Sequence, residues 1–274
     1  MSVTYTAVLD VSEDSVLFLS GLLHAERVRR ATREGTRALG TYKQAVLVLR
    51  WFLDDTRMSA LATDFAISRS TAYEYRDEGI AVLAARKPSL HGALLAAKAA
   101  GHGHVILDGT LIATDRTAAP GPTPGVDLWW SGKHKHHGGN IQVVSAPDGW
   151  PLWTSDVRPG REHDTTAARA DPHLLDLLAT WAGDGQLTLA DLGYEGETDT
   201  VKIPFKKPQN GKLTIDQQAY NAIHGALRCL GERANSLLKT TYKVLRRYRG
   251  CPWRLGRIVA AALVLLHHEN HRTT

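Results

Sequence analysis

Three acidic residues spread along the chain, Asp108, Asp191 and Glu232, have the side chains and settings that divalent metal ions need. Asp108 follows the apolar run His104-Val105-Ile106-Leu107 and precedes Gly109-Thr110. Asp191 follows a second such run, Gln186 to Ala190, and precedes Leu192-Gly193-Tyr194. Glu232 lies in a helical stretch. Carboxylates are hard oxygen ligands, and magnesium keeps several of its waters, so a few carboxylates are enough. Two such ions about 3.5–4 Å apart cleave phosphodiesters: one activates the attacking water or hydroxyl, the other steadies the leaving oxygen. Taken singly, each aspartate is also what a strand-ending turn residue before glycine looks like. Glu232 is equally one half of a solvated pair with Arg228, four residues away. Asp164 competes for the second carboxylate position, as a supporting contact or as a simple helix cap.

The elements that must position these groups follow from periodicity. From Gly101 the expected order is β-β-β-α-β-α. The first strand ends at Asp108. Asn140 to Ser145 and Trp150 to Ser155 form a hairpin across Asp148-Gly149. A helix opens at His163-Asp164 and runs to about Trp181, interrupted or split by Pro172. A fourth strand spans Gln186 to Ala190, a long helix Gln217 to about Tyr242, and a terminal helix Leu255 to His268. The expected fold is therefore α/β: a mixed sheet with flanking helices, with the carboxylates converging at one edge. At about 100° per residue, Arg228, Glu232 and Lys239 fall within roughly 40° on one face of the long helix, with Asn235 on the same stripe. That predicts a glutamate flanked by cations able to hold phosphates.

Residues 1–100 read as helical. Tyr42 to Leu53, Met58 to Phe65 and a helix from Ser68 towards Ala85 follow one another across short breaks, which predicts a helix-turn-helix at about 41–86. Its second helix carries Arg69, Ser70, Thr71, Tyr73 and Arg76, side chains that reach phosphates or base edges. A plain helical bundle fits the same pattern. Lys133, His134, Lys135, His136 and His137 form a basic patch beside Trp129 and Trp130. DNA backbone contacts, with a tryptophan stacked on an unpaired base, are its sharpest reading; a zinc site lacks a second ligand pair. Two more basic stretches, Lys202 to Lys212 with Lys206 and Lys207, and Arg246 to Arg257, read as phosphate tracks or as solubilising charge.

Seven segments occur in a fixed order: Asp108-Gly109-Thr110; Ser131 to His136; Gln142-Val143-Val144; Pro159 to Asp164; Ala190 to Tyr194; Pro204 to Pro208; and Gly231 to Ala234. With the Arg-x3-Glu-x6-Lys spacing of Arg228, Glu232 and Lys239, they resemble bacterial insertion-sequence transposases of the DDE type, in the branch related to eukaryotic Harbinger elements. The resemblance covers roughly residues 40 to 268. It implies a ribonuclease H-like catalytic domain at 101–274 behind the helix-turn-helix domain at 1–100. It also implies Mg²⁺ (or Mn²⁺), with Asp108, Asp191 and Glu232 as catalytic metal ligands supported by Asp164, Arg228 and Lys239. The implied partners are double-stranded DNA, as terminal inverted repeats and target, and a second copy of the chain on that DNA. Gly225 departs from the pattern, since related enzymes often carry a tyrosine there. A transposase-derived DNA-binding protein and a nuclease that cuts without joining share the same motifs.

Bulk properties set outer bounds. The chain has 274 residues, 43% hydrophobic and 22% charged, with a net charge of +5 and a sequence pI near 9.2, which suits a polyanionic partner. Two cysteines without CxxC spacing exclude a disulfide framework and a cysteine zinc site. Met1 to Asp10 lacks the pattern of a secretion signal. The longest apolar run, Ile258 to Leu266, is well short of the ~20 residues that span a bilayer. The expected location is the cytoplasm, on the nucleoid of a bacterium, with no membrane partner.

Overall fold

Apolar residues spaced three and four apart wind residues 13–99 into five helices: α1 (Glu13–Arg29), α2 (Thr41–Asp54), α3 (Met58–Asp64), α4 (Arg69–Ala84) and α5 (Leu90–Ala99). The computed structural model describes residues 8–115 and 117–274. Most of the Met1 to Asp10 segment lies outside them. Between α3 and α4, Ala66 adopts φ +51° and Ser68 caps α4, its hydroxyl accepting from the Thr71 N–H at 3.1 Å. This is the expected helix, tight turn, helix unit. Gly79 is the reason α4 lies close on α2, because a Cβ there would meet Val48 Cγ2 at 2.5 Å.

The sheet follows. Strand β1 (His104–Thr114) is its centre. A short β2 (Trp130–Ser131) turns into β3 (His136–Ser145), which pairs antiparallel with β1, with β4 (Pro151–Thr154) and with β5 (Arg158–Pro159). Helices α6 (Asp164–Arg169) and α7 (Leu174–Gly183) lead to β6 (Leu187–Leu189), which pairs parallel with β1. Then come α8 (Ile215–Arg228), α9 (Gly231–Thr241), β7 (Arg247–Tyr248), also parallel to β1, and α10 (Leu255–Glu269). Strand β3 antiparallel to both β1 and β4, with β6 parallel to β1, makes the mixed sheet with flanking helices that was expected.

Two expectations need correction, and a third is decided between its alternatives. Asp108 does not end its strand; β1 continues for six residues to Thr114. The helix after His163 is split, as one reading of Pro172 allowed, and the Asp171 carboxylate restarts it by accepting from the His173 and Leu174 N–H groups. The long helix is two. It breaks at Cys229-Leu230 because α9 must seat on β1, where a Cβ on Gly231 would come within 2.6 Å of Ile106, while α8 stands away with only His224 buried.

The apolar run in α10 is the centre of the core. From Ile258 to Leu266 every side chain is buried, against α4 on one side and β4 on the other. One continuous cluster runs from Leu19 and Leu23 of α1 through α2, α4, β1 and β3 to α10. Glu269 seals it, accepting from the Ser12 N–H (3.0 Å) and from the Ser12 and Ser15 hydroxyls at the start of α1. Among the described residues no helix is long and apolar enough to cross a membrane, and both cysteines are free and exposed.

Two glycines with opposite surroundings test the packing of α4. Gly79→Ala should cost about 1–3 kcal/mol, because Val48 is a stiff, fully buried neighbour. Gly21→Ala, mid-helix in α1 with nothing within 4 Å of the new methyl, should gain about 0.5–1 kcal/mol from helix propensity. Urea unfolding of the two variants should therefore move in opposite directions.

Candidate active site

A gap in the strand pairing creates the site. On one edge β1 is covered by β3 from Ile106 to Ala113. On the other edge β6 pairs only with His104 to Ile106, and β7 only with Ala113 and Thr114. Residues 107–112 of β1 thus have an open edge, a notch between β6 and β7. The parallel register Ile106↔Leu189 places Asp108 and Asp191 the same two residues beyond the last pair, so both reach the notch at one height. Asp191 is fixed there by its own turn, its Oδ1 accepting from the Gly193 N–H at 2.8 Å.

Alternation along β1 separates two faces. Asp108 and Thr110 point to the face covered by α9. There Asn235 Nδ2 donates to Asp108 Oδ2 (2.7 Å), and Lys239 Nζ donates to Thr110 Oγ1 (2.8 Å) and the Leu111 carbonyl (3.0 Å). Gly109 opens the other face, where Asp164 enters. A Cβ on Gly109 would lie 2.2 Å from Asp164 Oδ1, and one on Gly193 would lie 3.2 Å from Asp164 Oδ2. The glycines after Asp108 and Asp191 are therefore the space through which Asp164 reaches the same notch.

Asp164 does not cap its helix. Its Oδ1 accepts from Asn140 Nδ2 (2.9 Å), Asn140 Oδ1 accepts from Gln142 Nε2 (2.9 Å), and Gln142 Oε1 accepts from the Tyr194 hydroxyl. All three supporting residues are buried. An ionised carboxylate only accepts hydrogen bonds, so it turns the Asn140 amide, and that amide in turn orients Gln142. Burial and the three aspartates raise the Tyr194 pKa well above the usual tyrosine range, which keeps its proton for Gln142.

Burial is also the largest influence on Asp108, and the charge of Asp191 is next. Together with Asp164 and Glu232 they push its pKa up to about 6, against the opposing pull of Arg228. Glu232, in the first turn of α9, is the outlying member. Its side chain is 72% exposed and meets Arg228 at 3.8 Å across the break between α8 and α9. Among the described residues no three His, Cys, Asp or Glu side chains close on one point. The donor chemistry nonetheless suits a hard cation. Among the described residues Asp108 and Asp191 make no ion pair, and Asn235 Oδ1, beside Asp108, is buried with no hydrogen-bond partner.

The other expected residues divide. The turn Gly132 to Lys135 brings Lys133 Nζ to 3.7 Å from Asp164, on the rim of a cleft of about 380 Å³ that Gly109, His134, Asn140 and Gly193 also line. Burial, then Lys133 and His136, push the His134 pKa down, against the opposing pull of Asp164. Lys135, His136, Lys206 and Lys207 are exposed, with Lys206 paired to Glu195 at 2.8 Å. Lys239 is committed to β1 rather than open to phosphates. In α4, Arg69, Ser70 and Tyr73 are exposed and Thr71 is half-buried. Arg76 is a correction: it is 5% exposed, enclosed by Trp51 and Tyr73 and bonded to Asp77 Oδ1, so it cannot reach a base edge from there. Trp129 is also corrected, being buried edge-on against Trp253 rather than free to stack on a base. The supporting roles of Asn140, Gln142 and Tyr194 were missed. Their visible signal is two polar residues at alternate positions of an otherwise buried strand.

Comparison with known proteins gives a family, a relative and two solved structures. Residues 107–267, more than half of the chain, match the family described as DDE superfamily endonuclease. The probable transposase for insertion sequence element IS702 of Microchaete diplosiphon is 26% identical over 219 residues, 78% of this chain and 75% of the relative. Two solved Mos1 transposase structures align loosely. The paired-end complex with the left transposon end has a TM-score of 0.22 at 10% identity, over 87% of this chain and 85% of that one. The strand transfer complex has a TM-score of 0.21 at 11% identity, over 97% of each chain. Overlaps that loose place no residue.

The shift at Asp108 makes a stability prediction. A carboxyl whose folded pKa stands at about 6 against an ordinary 3.8 holds its proton more tightly when folded. Stability should fall as pH rises through that window and stay low above it. Asp108→Asn should therefore stabilise the metal-free protein by about 2–3 kcal/mol at pH 7–8, and by almost nothing at pH 4. Parallel unfolding curves with no pH-dependent difference would contradict this.

Proposed function

The chain belongs to the DDE superfamily endonuclease family, and from that premise we propose that it is a DNA transposase whose Asp108, Asp191 and Glu232 hold two divalent ions, Mg²⁺ or Mn²⁺. The observation that carries the reading is the shared height of Asp108 and Asp191 in the notch, with Glu232 on the helix that covers it. Enzymes of this family generally work with divalent metals. When bound, the ions activate a water or 3′-hydroxyl and stabilise the departing oxygen.

The chain's own groups do the rest. Asp108 and Asp191, on rigid strand backbone, set the positions of the ligands. Glu232, exposed and with the 3.8 Å contact to Arg228 its one ion pair among the described residues, would turn inward to complete the ligand set. Asn235 steadies Asp108 and offers its free Oδ1. Asp164 adds a fixed negative charge, and Lys133 above it attracts a DNA strand to the cleft. The exposed first turns of α4, with Arg69, Ser70 and Tyr73, bind the element's terminal inverted repeat, and Lys135, His136, Lys206 and Lys207 track the backbone of repeat or target. Holding both element ends requires at least two copies of the chain.

The test uses labelled duplexes carrying the repeats that flank the gene, incubated with the protein and Mg²⁺, Mn²⁺ or EDTA. Metal-dependent cleavage with joined products is expected. Cleavage without joining would make the protein a nuclease only, and binding without cleavage would make it a DNA-binding relic. Losing a group that merely orients a metal ligand costs about 10–100-fold. Asp108→Asn, Asp191→Asn and Glu232→Gln should each lower cleavage by more than about 100-fold while retaining DNA binding. Mn²⁺ should raise the melting temperature of the native protein and leave that of Asp108→Asn unmoved.

A further inference from the structure

A second cavity lies at the far end of the notch. It is about 380 Å³ and sits between the helix-turn-helix and the arm that contains β7. Arg57 and Asp55 come from the α2–α3 junction, Arg69 and Tyr73 from α4, and Arg249 from just beyond β7. Buried Arg76 lies behind Tyr73, its guanidinium carbon 4.7 Å from the ring centroid and its charge met by Asp77. Arg57, Arg69 and Arg249 thus stand around one lining carboxylate, Asp55, which meets Arg249 at 3.3 Å. Among the described residues Arg57 and Arg69 make no ion pair; Arg69 lies over the Tyr73 ring at 5.9 Å.

We propose that this cavity binds one backbone phosphate of a DNA strand through Arg57, Arg69 and Arg249, and so sets the distance between the recognised sequence and the cut. It rests on the reading of the chain as a DNA-cutting enzyme and adds a site to it. A planar, always-charged guanidinium fork matches a phosphate, and three from separate elements line this cavity with Asp55 the one carboxylate among the lining residues. The spacing follows from β1 itself. Thr114 pairs with Tyr248, next to Arg249, and Asp108 lies six residues earlier on the same strand. At about 3.3 Å per residue that is about 20 Å. At about 3.4 Å of helix axis per nucleotide of one strand, a duplex lying along β1 places the clamped phosphate about six nucleotides from the bond at the metal site.

The experiment is methylphosphonate scanning of the element-end duplex, replacing one phosphate at a time with a neutral one. With the native protein, affinity should fall about 10–100-fold at one position four to eight nucleotides from the cleaved bond. Arg57→Gln/Arg249→Gln should lose a similar factor on the unmodified duplex and show a salt slope smaller by about 0.9. It should also become indifferent to the sensitive position. Arg29→Gln/Lys98→Gln, which removes the same charge elsewhere, should behave like the native protein. No sensitive position in that window, or undiminished sensitivity in the arginine variant, overturns the clamp while leaving cleavage and the proposed function standing. Equal competition by millimolar inorganic phosphate or a mononucleotide overturns the DNA assignment in favour of a small-anion site. A native protein that neither binds nor cuts the duplex overturns the clamp and the proposed function together.

Discussion

Everything at the site depends on where β6 stops. Had it continued along β1 past the Ile106–Leu189 pair, the edge from Leu107 to Ile112 would be filled with backbone hydrogen bonds and Asp108 would be an ordinary mid-strand residue. Instead the chain turns at Asp191, and β1 regains a neighbour only at Ala113. An open edge inside a sheet is costly unless something occupies it. Here the occupants are polar: Lys239 donates to the Leu111 carbonyl, and carboxylates line the rest. The same interruption exposes a rigid strand to solvent and sets two acidic side chains level with each other. The placement of the two carboxylates is thus obtained from a pairing defect rather than from a flexible loop.

The charge balance in the notch explains the surrounding side chains. Asp108, Asp191 and Asp164 repel one another, and each needs local compensation. Asp191 takes a backbone N–H, Asp108 takes an amide from α9, and Asp164 takes an amide anchored on Gln142 and Tyr194. None of these donors is a full positive charge. Arg228 and Lys133 stand at 3.8 and 3.7 Å from Glu232 and Asp164, beyond direct hydrogen-bond reach, and Lys239 spends its donors on β1. The site is arranged to hold negative charge in place while leaving it under-neutralised, which is the state a divalent ion resolves.

Much of this was legible in the sequence, because it rests on local patterning. Alternation and apolar runs gave the four longer strands and their order but not the two-residue β2, β5 and β7, and the Ser68 cap with the short break before it gave the helix, turn and helix. The aspartates stood out because each follows an apolar run and precedes a glycine. What could not be read is what depends on packing between distant segments. The extent of β1 past Asp108 depends on Lys239 and β7. The break at Cys229-Leu230 depends on Gly231 meeting Ile106. The true use of Gly109 and Gly193, as clearance for Asp164, is invisible until α6 is docked. Arg76 read as a free cation because nothing in its own helix reveals that Trp51 covers it.

The continuity of the core constrains how DNA can be handled. A recognition unit on a flexible linker could bind its sequence in many orientations relative to the cutting site. Here α10, the last helix in the chain, is buried between α4 and β4, and Glu269 ties its end to the start of α1. Trp51 and Phe52 of α2 pack edge-on against Tyr248 and Tyr242, the residues that follow α9. Moving α4 relative to β1 would expose these aromatics and the apolar length of α10, at a cost of several kcal/mol by area alone. The first turns of α4 and the carboxylates of the notch are therefore fixed in one frame. A DNA strand that engaged both would have to meet them at this fixed spacing, and any adjustment would come from bending the DNA rather than from moving the protein.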